Sequence, residues 1–160
     1  MKSLQPNSRH CFVCGLENTH GLKLRFYRTA PDEVTVETTI PEQYQGYPGV
    51  VHGGIVAAML DEVTGRTHMG GDPPRFMYTA RLDIRYRKNV PICQPLRVVG
   101  KGGTSKRRTA TATGAIYDQD GELLAEADAL LVNVPEEMIE DVDLQALGWK
   151  VYPQEDGVVG

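Results

Sequence analysis

The sequence predicts an α+β fold in which one long helix packs against an antiparallel sheet. Two observations carry this prediction. Six segments alternate apolar and polar residues or are rich in β-branched residues, as half-buried strands are. Between the second and third of these segments lies a single run of small and aliphatic residues with helical spacing, about Gly54 to Thr67. The predicted order is therefore two strands, one helix and four strands, with the helix on one face of the sheet.

Each predicted strand has its own signature. The segment GLKLRFYR alternates, and EVTVETTI follows it across the turn TAPDE as a hairpin partner. After the helix, FMYTARLDIRYRK alternates so that Ala80 and Leu82 share one face and Thr79 lies on the other. LRVVGKGGTS is weakened by its glycines, and RTATATGAIYD is β-branched. ELLAEADALLVNV contains helix formers, but we assign it as a strand because the turn QDG leads into it.

The chain is predicted to be one domain with a short segment on each side. We place the domain at 21–134, after a polar N-terminal arm, 1–20, and before a tail, 135–160, that holds seven of the 21 acidic residues. The net charge of -4 excludes a general nucleic-acid-binding surface. No apolar run reaches the roughly 20 residues of a membrane span. Three cysteines and no apolar leader predict a cytoplasmic protein without nucleic-acid or membrane partners.

An acid within the helix is the first candidate functional residue. By helical period, Gly54, Ala57, Ala58, Asp61 and Gly65 share one stripe, and every member except Asp61 is small. A stripe of small residues lets another backbone or a ligand approach closely. The carboxylate of Asp61 is therefore a candidate catalytic group. The alternatives are a solvent-exposed carboxylate or an ion pair with an arginine of the following strand.

The start of the helix, His52-Gly53-Gly54, is the second candidate. The first N–H groups of a helix lack intrahelical partners and lie at the positive end of its dipole. Such a start can hold an oxyanion, although a glycine-rich cap is the simpler interpretation. Gly54 and Asp61 are seven residues apart, which is about 10 Å along a helix. A site that uses both is therefore predicted to form between two chains of a two-fold dimer.

Several segments resemble hotdog-fold acyl-CoA thioesterases, specifically the PaaI-like (phenylacetate-pathway) branch of the 4-hydroxybenzoyl-CoA thioesterase superfamily. GYPGVVHGGIVAAMLDEVTG resembles the signature of that branch, with an acid nine residues after the histidine. CFVCGLENTHGLKLRFY, TARLDIRYRKNVP and GAIYDQDGELLAEADALLV resemble its lead-in, a later strand and its final hairpin, so the resemblance covers about residues 10–134. It implies a sheet wrapped around one long helix, a homodimer or a dimer of dimers, and hydrolysis of acyl-CoA. The small helix residues favour a medium-chain or aromatic acyl group.

The resemblance also implies a role for each motif residue. Asp61 would act as the general base or the nucleophile. Its neighbour Glu62 is the rival acid and is assigned to substrate binding. The oxyanion donor falls on the N–H of Gly54, or on Gly53. His52 would orient the loop or contact the thioester.

Other substrate contacts are implied less directly. Thr79 matches a serine or threonine that positions water in relatives. Many relatives carry Asn or Gln six residues before the histidine, where this chain has Gly46, so its neighbour Gln45 is the substitute candidate. CoA carries phosphates, and basic residues should line its channel. The candidates for that role are Arg87, Lys88 and Arg107.

Cys11 and Cys14 form a CxxC motif, which can hold zinc or run redox chemistry. No second CxxC follows, and Cys93 is isolated. A further zinc ligand would have to come from His10, His20 or another chain. The lead-in of the resembling family has the same cysteines without a required metal. We therefore predict a structural role for the pair, no metal and no cofactor, with metal binding or redox chemistry as the alternative.

Two other functions stay open beside the thioesterase. A non-catalytic acyl-CoA-binding protein would bind the same ligand without releasing a thiol. A hydratase or dehydratase of the same fold would need a histidine paired with an acid in a second motif. The remaining central histidine, His68, lies in RTHMGG and is predicted to end the helix instead.

Overall fold

The structure is a computed structural model and describes residues 1–154. It contains one seven-stranded sheet, one long helix and one short helix. The strands are β1 Ser3–Leu4, β2 Tyr27–Ala30, β3 Glu33–Thr39, β4 Met77–Tyr86, β5 Pro95–Ser105, β6 Thr109–Asp118 and β7 Leu123–Asn133. The helices are α1 Gly53–Gly65 and α2 Glu136–Glu140, with a 3-10 turn at Glu42–Tyr44.

All neighbouring strands are antiparallel, in the order β1-β2-β3-β5-β6-β7-β4. The chain leaves β3, forms α1 and returns as β4 at the far edge of the sheet. The five strands from β3 to β7 all contact α1, so the sheet wraps around the helix. The predicted α+β class, with one long helix against an antiparallel sheet, is confirmed. Within residues 1–154, no helix combines the length and apolarity needed to cross a membrane.

Paired glycines let α1 approach the sheet closely. Gly100 of β5 and Gly114 of β6 are cross-strand partners beneath the helix. A Cβ atom at Gly100 would lie 2.4 Å from the carbonyl oxygen of Val63, and one at Gly114 would lie 3.1 Å from Thr64 Cγ2. Gly100, one of the glycines that weaken the strand prediction, is thus required where the backbone of β5 meets that of α1, whereas Gly114 makes room for helix side chains. The helix buries one face against this surface: Val56, Met59, Leu60, Val63 and Thr64.

Two element boundaries differ from the prediction. Leu24 and Phe26 are buried as the alternation requires, but the regular strand begins only at Tyr27. Lys23 has a φ of 52°, a left-handed conformation that no strand accommodates. The long helix begins one residue earlier than predicted and ends at Gly65, since Arg66 is already the C-cap.

A β-bulge corrects the predicted faces of β4. Thr79 pairs with Leu131 while Arg81 pairs with Leu130, so β4 carries one extra residue, Ala80. The extra residue changes the phase of the alternation. Thr79 is therefore half-buried on the inner side together with Leu82, not on the opposite face as the simple alternation predicts.

The N-terminal arm and the tail lie side by side. The Asn7 N–H donates to the Lys150 carbonyl at 2.9 Å, and the Arg9 N–H donates to the Leu147 carbonyl at 3.1 Å. Trp149 then packs edge-on against Phe76, with ring centroids 5.5 Å apart. Residues 155–160 of the predicted tail lie outside the described residues.

Candidate active site

Asp61 lies in a cleft between the C-terminal half of α1 and the first half of β4. The cleft has a volume of about 710 Å³, and Thr79 forms part of its opposite wall. The bulge at Ala80 explains how Thr79 comes to face inward. The remaining walls come from Glu62, Gly65, Arg66, Met69, Met77, Tyr78, Ala80, Arg81 and Leu82.

The carboxylate of Asp61 is unpaired within residues 1–154. Its side chain has no hydrogen bond or ion pair there, and Thr64 Oγ1 donates to the Asp61 backbone carbonyl at 2.9 Å. The arginines of β4 pair elsewhere: Arg81 lies 3.9 Å from Asp83, and Arg85 lies 3.8 Å from Glu126. Asp61 is therefore not the partner of an arginine of β4 in this chain. A half-buried carboxylate without a cation is available to water or to a ligand.

His52 caps the start of α1. Its Nδ1 accepts a hydrogen bond from the Gly54 N–H at 2.9 Å, and its carbonyl accepts from Ile55 at 2.9 Å. The N–H of Gly54 is thus occupied, whereas no hydrogen bond within residues 1–154 uses the N–H of Gly53. The Tyr86 hydroxyl donates to the Gly53 carbonyl at 2.8 Å and fixes the turn. The exposed donor at this helix start is therefore Gly53.

This helix start lines a second cleft of about 490 Å³, together with Arg87 and Lys88. The structure thus separates the predicted residues into two groups. Asp61 and Thr79 share the first cleft, and His52 and Gly53 share the second with the two basic residues.

Three predicted residues line neither cleft. Gly54 is exposed beside its His52 cap. The side-chain oxygen of Gln45 accepts from the Gly49 N–H at 3.3 Å, so this side chain folds into its own loop. Arg107 lies in the turn between β5 and β6, where its carbonyl accepts from Asn133 Nδ2 at 2.8 Å.

The basic candidates are already engaged with acids. Arg87 donates to Glu126 at 2.7 Å, and this hydrogen bond holds the pKa of the Glu126 carboxyl below its usual range. Lys88 pairs with Glu122. These exposed pairs are weak in water, so a phosphate can compete for either cation.

Arg66 is a residue of the first cleft that the sequence reasoning missed. Its side chain is 1% exposed, and its Nε lies 2.8 Å from Glu62 Oε1. Its guanidinium lies 4.1 Å from the Phe26 ring centre and 5.4 Å from that of Trp149, and it donates to the Pro6 carbonyl at 2.8 Å. The i,i+4 spacing of an acid and an arginine was the available signal. Arg66 thereby connects the helix, the arm and the tail, and it forms an ion pair with the carboxylate of Glu62.

The CxxC motif lies against the same acid. One donor atom each from Cys11, Cys14 and Glu62 lies within 4.8 Å of the other two. The hydrogen bond between the thiols holds the pKa of Cys11 at about 6 and raises that of Cys14. Burial raises the pKa of Glu62, which Arg66 opposes. The sequence could not identify this third group, because Glu62 is 48 residues beyond Cys14.

Comparison with known proteins connects this geometry to one superfamily. The family model described as thioesterase superfamily matches residues 48–125, from the loop before His52 into β7. Acyl-coenzyme A thioesterase THEM4 of Bos taurus is 31% identical over 83 residues, which are 51% of this chain and 33% of that protein. The chain therefore corresponds to about a third of that relative's length.

Solved structures of thioesterase superfamily proteins are also similar to this chain. A crystal structure of a thioesterase superfamily protein superposes with a TM-score of 0.71 at 33% identity, over 78% of this chain and 60% of the other. Smu.793 of Streptococcus mutans, solved bound to acetyl CoA, has a TM-score of 0.63 at 19% identity, over 69% of this chain and 88% of the other, and supports the fold alone. The chain is thus similar in sequence to thioesterase superfamily proteins over just under half of its length, and it has the hotdog fold.

Proposed function

We propose that the protein hydrolyses an acyl-CoA thioester to a free acid and CoA. The observation that carries this proposal is the unpaired carboxylate of Asp61 facing Thr79 across one cleft. The cleft volume of about 710 Å³ lies within the usual range for small-molecule sites. Acyl-coenzyme A thioesterase activity is the named function of the THEM4 relative, and the sequence motif favours the PaaI-like branch.

Asp61 would act in one of two ways. As general base it takes a proton from water held by Thr79, and the water oxygen attacks the thioester carbonyl. As nucleophile it attacks that carbonyl itself and forms an anhydride, which water then cleaves. In both routes the carbonyl oxygen becomes an oxyanion, the C–S bond breaks, and the departing CoA thiolate takes a proton.

The oxyanion requires a hydrogen-bond donor directed at the carbonyl oxygen. We assign this role to the Gly53 N–H, because the Gly54 N–H is occupied by His52. The two clefts lie along opposite halves of β4, one along Met77–Leu82 and the other from Tyr86 onward. Within the described residues, β4 pairs only with β7, so its outer edge is free.

Two copies of β4 that pair antiparallel about a two-fold axis would complete the site. Such pairing sets the first half of one strand beside the second half of the other. The Asp61 of one protomer would then face the Gly53 of its partner. We therefore propose a homodimer as the active unit, with association into a dimer of dimers as a further step.

The same pairing suggests where CoA lies. Arg87 and Lys88 already line the Gly53 cleft. The turn that carries Arg107 lies near the first end of β4, because its partner Asn133 pairs with Met77. Two-fold pairing would bring Arg107 of the partner subunit toward Arg87 and Lys88, and the three would face the CoA phosphates. The acyl group would occupy the Asp61 cleft, whose apolar walls, Met69, Met77 and Leu82, suit a medium-chain or aromatic group.

Thiol release from a panel of acyl-CoAs tests the activity. Asp61→Asn should lower kcat by about 10²- to 10⁴-fold, as expected for loss of a general base or nucleophile, at unchanged melting temperature. Asp83→Asn is the matched control, since Asp83 is an exposed acid of β4. Full activity of Asp61→Asn, or no thiol release from any acyl-CoA, would overturn the proposal and favour a non-catalytic acyl-CoA-binding protein.

Complementation between inactive variants tests the two-chain site. Gly53→Pro removes the proposed donor at the first helical position, where proline is tolerated, and His52 has the extended ψ of 136° that a following proline requires. Each variant alone should be inactive. Refolding Gly53→Pro with Asp61→Asn should restore about a quarter of wild-type activity, because half of the dimers are mixed and each has one intact site. Absence of any recovery in demonstrably mixed dimers would contradict a site shared between chains.

A further inference from the structure

We propose that Cys11, Cys14 and Glu62, here termed the Cys-Cys-Glu cluster, form a zinc-binding site. The three donor atoms lie within 4.8 Å of one another, although they come from the N-terminal arm and from the long helix. In tetrahedral zinc sites the metal–sulfur distance is about 2.3 Å and the metal–oxygen distance about 2.0 Å. Donor atoms already within 4.8 Å of one another need only small side-chain movements to reach those values. The proposal does not depend on thioester hydrolysis.

The arm is already folded into a turn that presents both sulfur atoms. The Gly15 N–H donates to the Cys11 carbonyl at 2.7 Å, and the Cys14 N–H donates to Cys11 Sγ at 3.4 Å. A Cβ atom at Gly15 would lie 2.3 Å from the Cys11 carbonyl oxygen, so the turn requires glycine. Backbone N–H groups directed at a sulfur stabilise its thiolate, the form that binds metal.

The residues just before the turn, Asn7 and Ser8, hold it in place through a second group of contacts. Asn7 is fully buried, and its Nδ2 donates to the carbonyls of Cys14 and Leu24, each at 2.8 Å. Ser8 Oγ accepts from the Cys11 N–H at 3.4 Å and lies 3.5 Å from Cys14 Sγ. The cluster is therefore held by the fold and does not rely on a flexible terminus to assemble.

The local charge balance calls for a divalent cation. Two thiolates and the Glu62 carboxylate bring three negative charges, and Arg66, 2.8 Å from Glu62, supplies one positive charge. The two remaining negative charges match Zn²⁺. Sulfur ligands select zinc over Mg²⁺ or Ca²⁺, which prefer oxygen. Three protein ligands leave one coordination position for water or another small ligand. Because Glu62 also lines the Asp61 cleft, the ion would lie at the wall of that cleft.

The direct test is the zinc content of full-length protein purified with a non-thiol reductant, dialysed and reloaded with Zn²⁺ alone. Wild type should retain close to one zinc per chain. Cys11→Ser should weaken Zn²⁺ binding by more than about 100-fold, which exceeds the effect of losing an outer-shell partner. Cys93→Ser is the matched control, because Cys93 is an exposed free cysteine outside the cluster. It should bind zinc as wild type does.

Two further measurements do not rely on one variant. Co²⁺ substituted for Zn²⁺ should give the sulfur-to-metal charge-transfer absorption of thiolate ligation, absent in Cys14→Ser. A strong chelator should lower the melting temperature of wild type and of Cys93→Ser, but not that of Cys11→Ser. Equal zinc content in wild type and Cys11→Ser would overturn the site. So would fully reduced wild-type protein that binds no zinc, or a Cys11–Cys14 disulfide that persists under reductant.

Discussion

Removing the Arg66 guanidinium should show how much the ion pair with Arg66 contributes to the stability of a fold that buries the Glu62 carboxylate. Arg66→Met keeps much of the side-chain volume but leaves the carboxylate without its partner at 2.8 Å. Breaking a buried ion pair from one side costs about 3–5 kcal/mol. Glu62 keeps 22% of its side-chain exposure, which places the cost near the lower limit, about 3 kcal/mol. Loss of the cation–π contact with Phe26 adds about 0.5–1 kcal/mol.

A double-mutant cycle separates these two contributions. If the orphaned carboxylate dominates, Glu62→Gln added to Arg66→Met should recover about 2 kcal/mol, within the usual coupling range. Urea unfolding, with a chelator present throughout, measures the four free energies. Arg81→Met is the control and should change stability by less than about 0.5 kcal/mol, because its ion pair is exposed.

The pH dependence of the same variant gives a second readout. Burial raises the pKa of Glu62 in the folded state, and removing Arg66 raises it further. The part of the Arg66→Met penalty that comes from the orphaned carboxylate should therefore be absent below the unfolded pKa of about 4.3 and should grow until the pH passes the raised folded pKa. The smaller loss of the cation–π contact should be present at every pH. A cost under about 1 kcal/mol at neutral pH, or a double variant as unstable as the sum of the singles, would refute this reasoning.

Two further outcomes are expected. Gly100→Ala should lower the free energy of unfolding by about 1–3 kcal/mol, because the new methyl group would overlap the Val63 carbonyl. Gly65→Ala, which meets nothing within 4 Å, should leave it unchanged or raise it by up to about 1 kcal/mol. Iodoacetamide should alkylate Cys11 of the metal-free protein with a rate midpoint near pH 6, because only the thiolate reacts. Cys14→Ala, which removes the donor, should move that midpoint upward, and a midpoint that does not respond would argue against the hydrogen bond between the thiols.

Periodicity and one turn signal predicted most of the fold, but not the two-residue strand β1, Ser3–Leu4, which lies in the predicted N-terminal arm. Strand alternation and one helical run predicted the α+β arrangement, and the two ends of the long helix fell within two residues of those observed. The strand that contains Thr79 shows where periodicity stops being sufficient. An inserted residue at Ala80 changes the phase, and nothing in the alternating letters marks it.

The candidate site divides in the same way. The helix stripe singled out Asp61 as a candidate, which stays a prediction. The structure places Asp61 and the helix start in different clefts, in keeping with their separation of about 10 Å along the helix. The sequence did not predict the contacts between distant parts of the chain. The approach of Cys11 and Cys14 to Glu62, and the stacking of Trp149 over Arg66, depend on how the two terminal segments fold back. No local pattern encodes such approaches.

The glycine pair beneath the helix constrains how this protein can change over evolutionary time. At Gly100 the sheet meets the Val63 carbonyl backbone to backbone, so at this point no side chain can be enlarged or trimmed to raise or lower α1 gradually. Any side chain placed there would shift the helix, and Asp61 with it, relative to the sheet. If the Asp61 cleft binds the acyl group proposed above, new acyl groups would have to be accommodated by substitutions in β4 and in Met69, the wall that faces the helix. Substrate preference can then diversify while the spacing of the reacting groups stays constant.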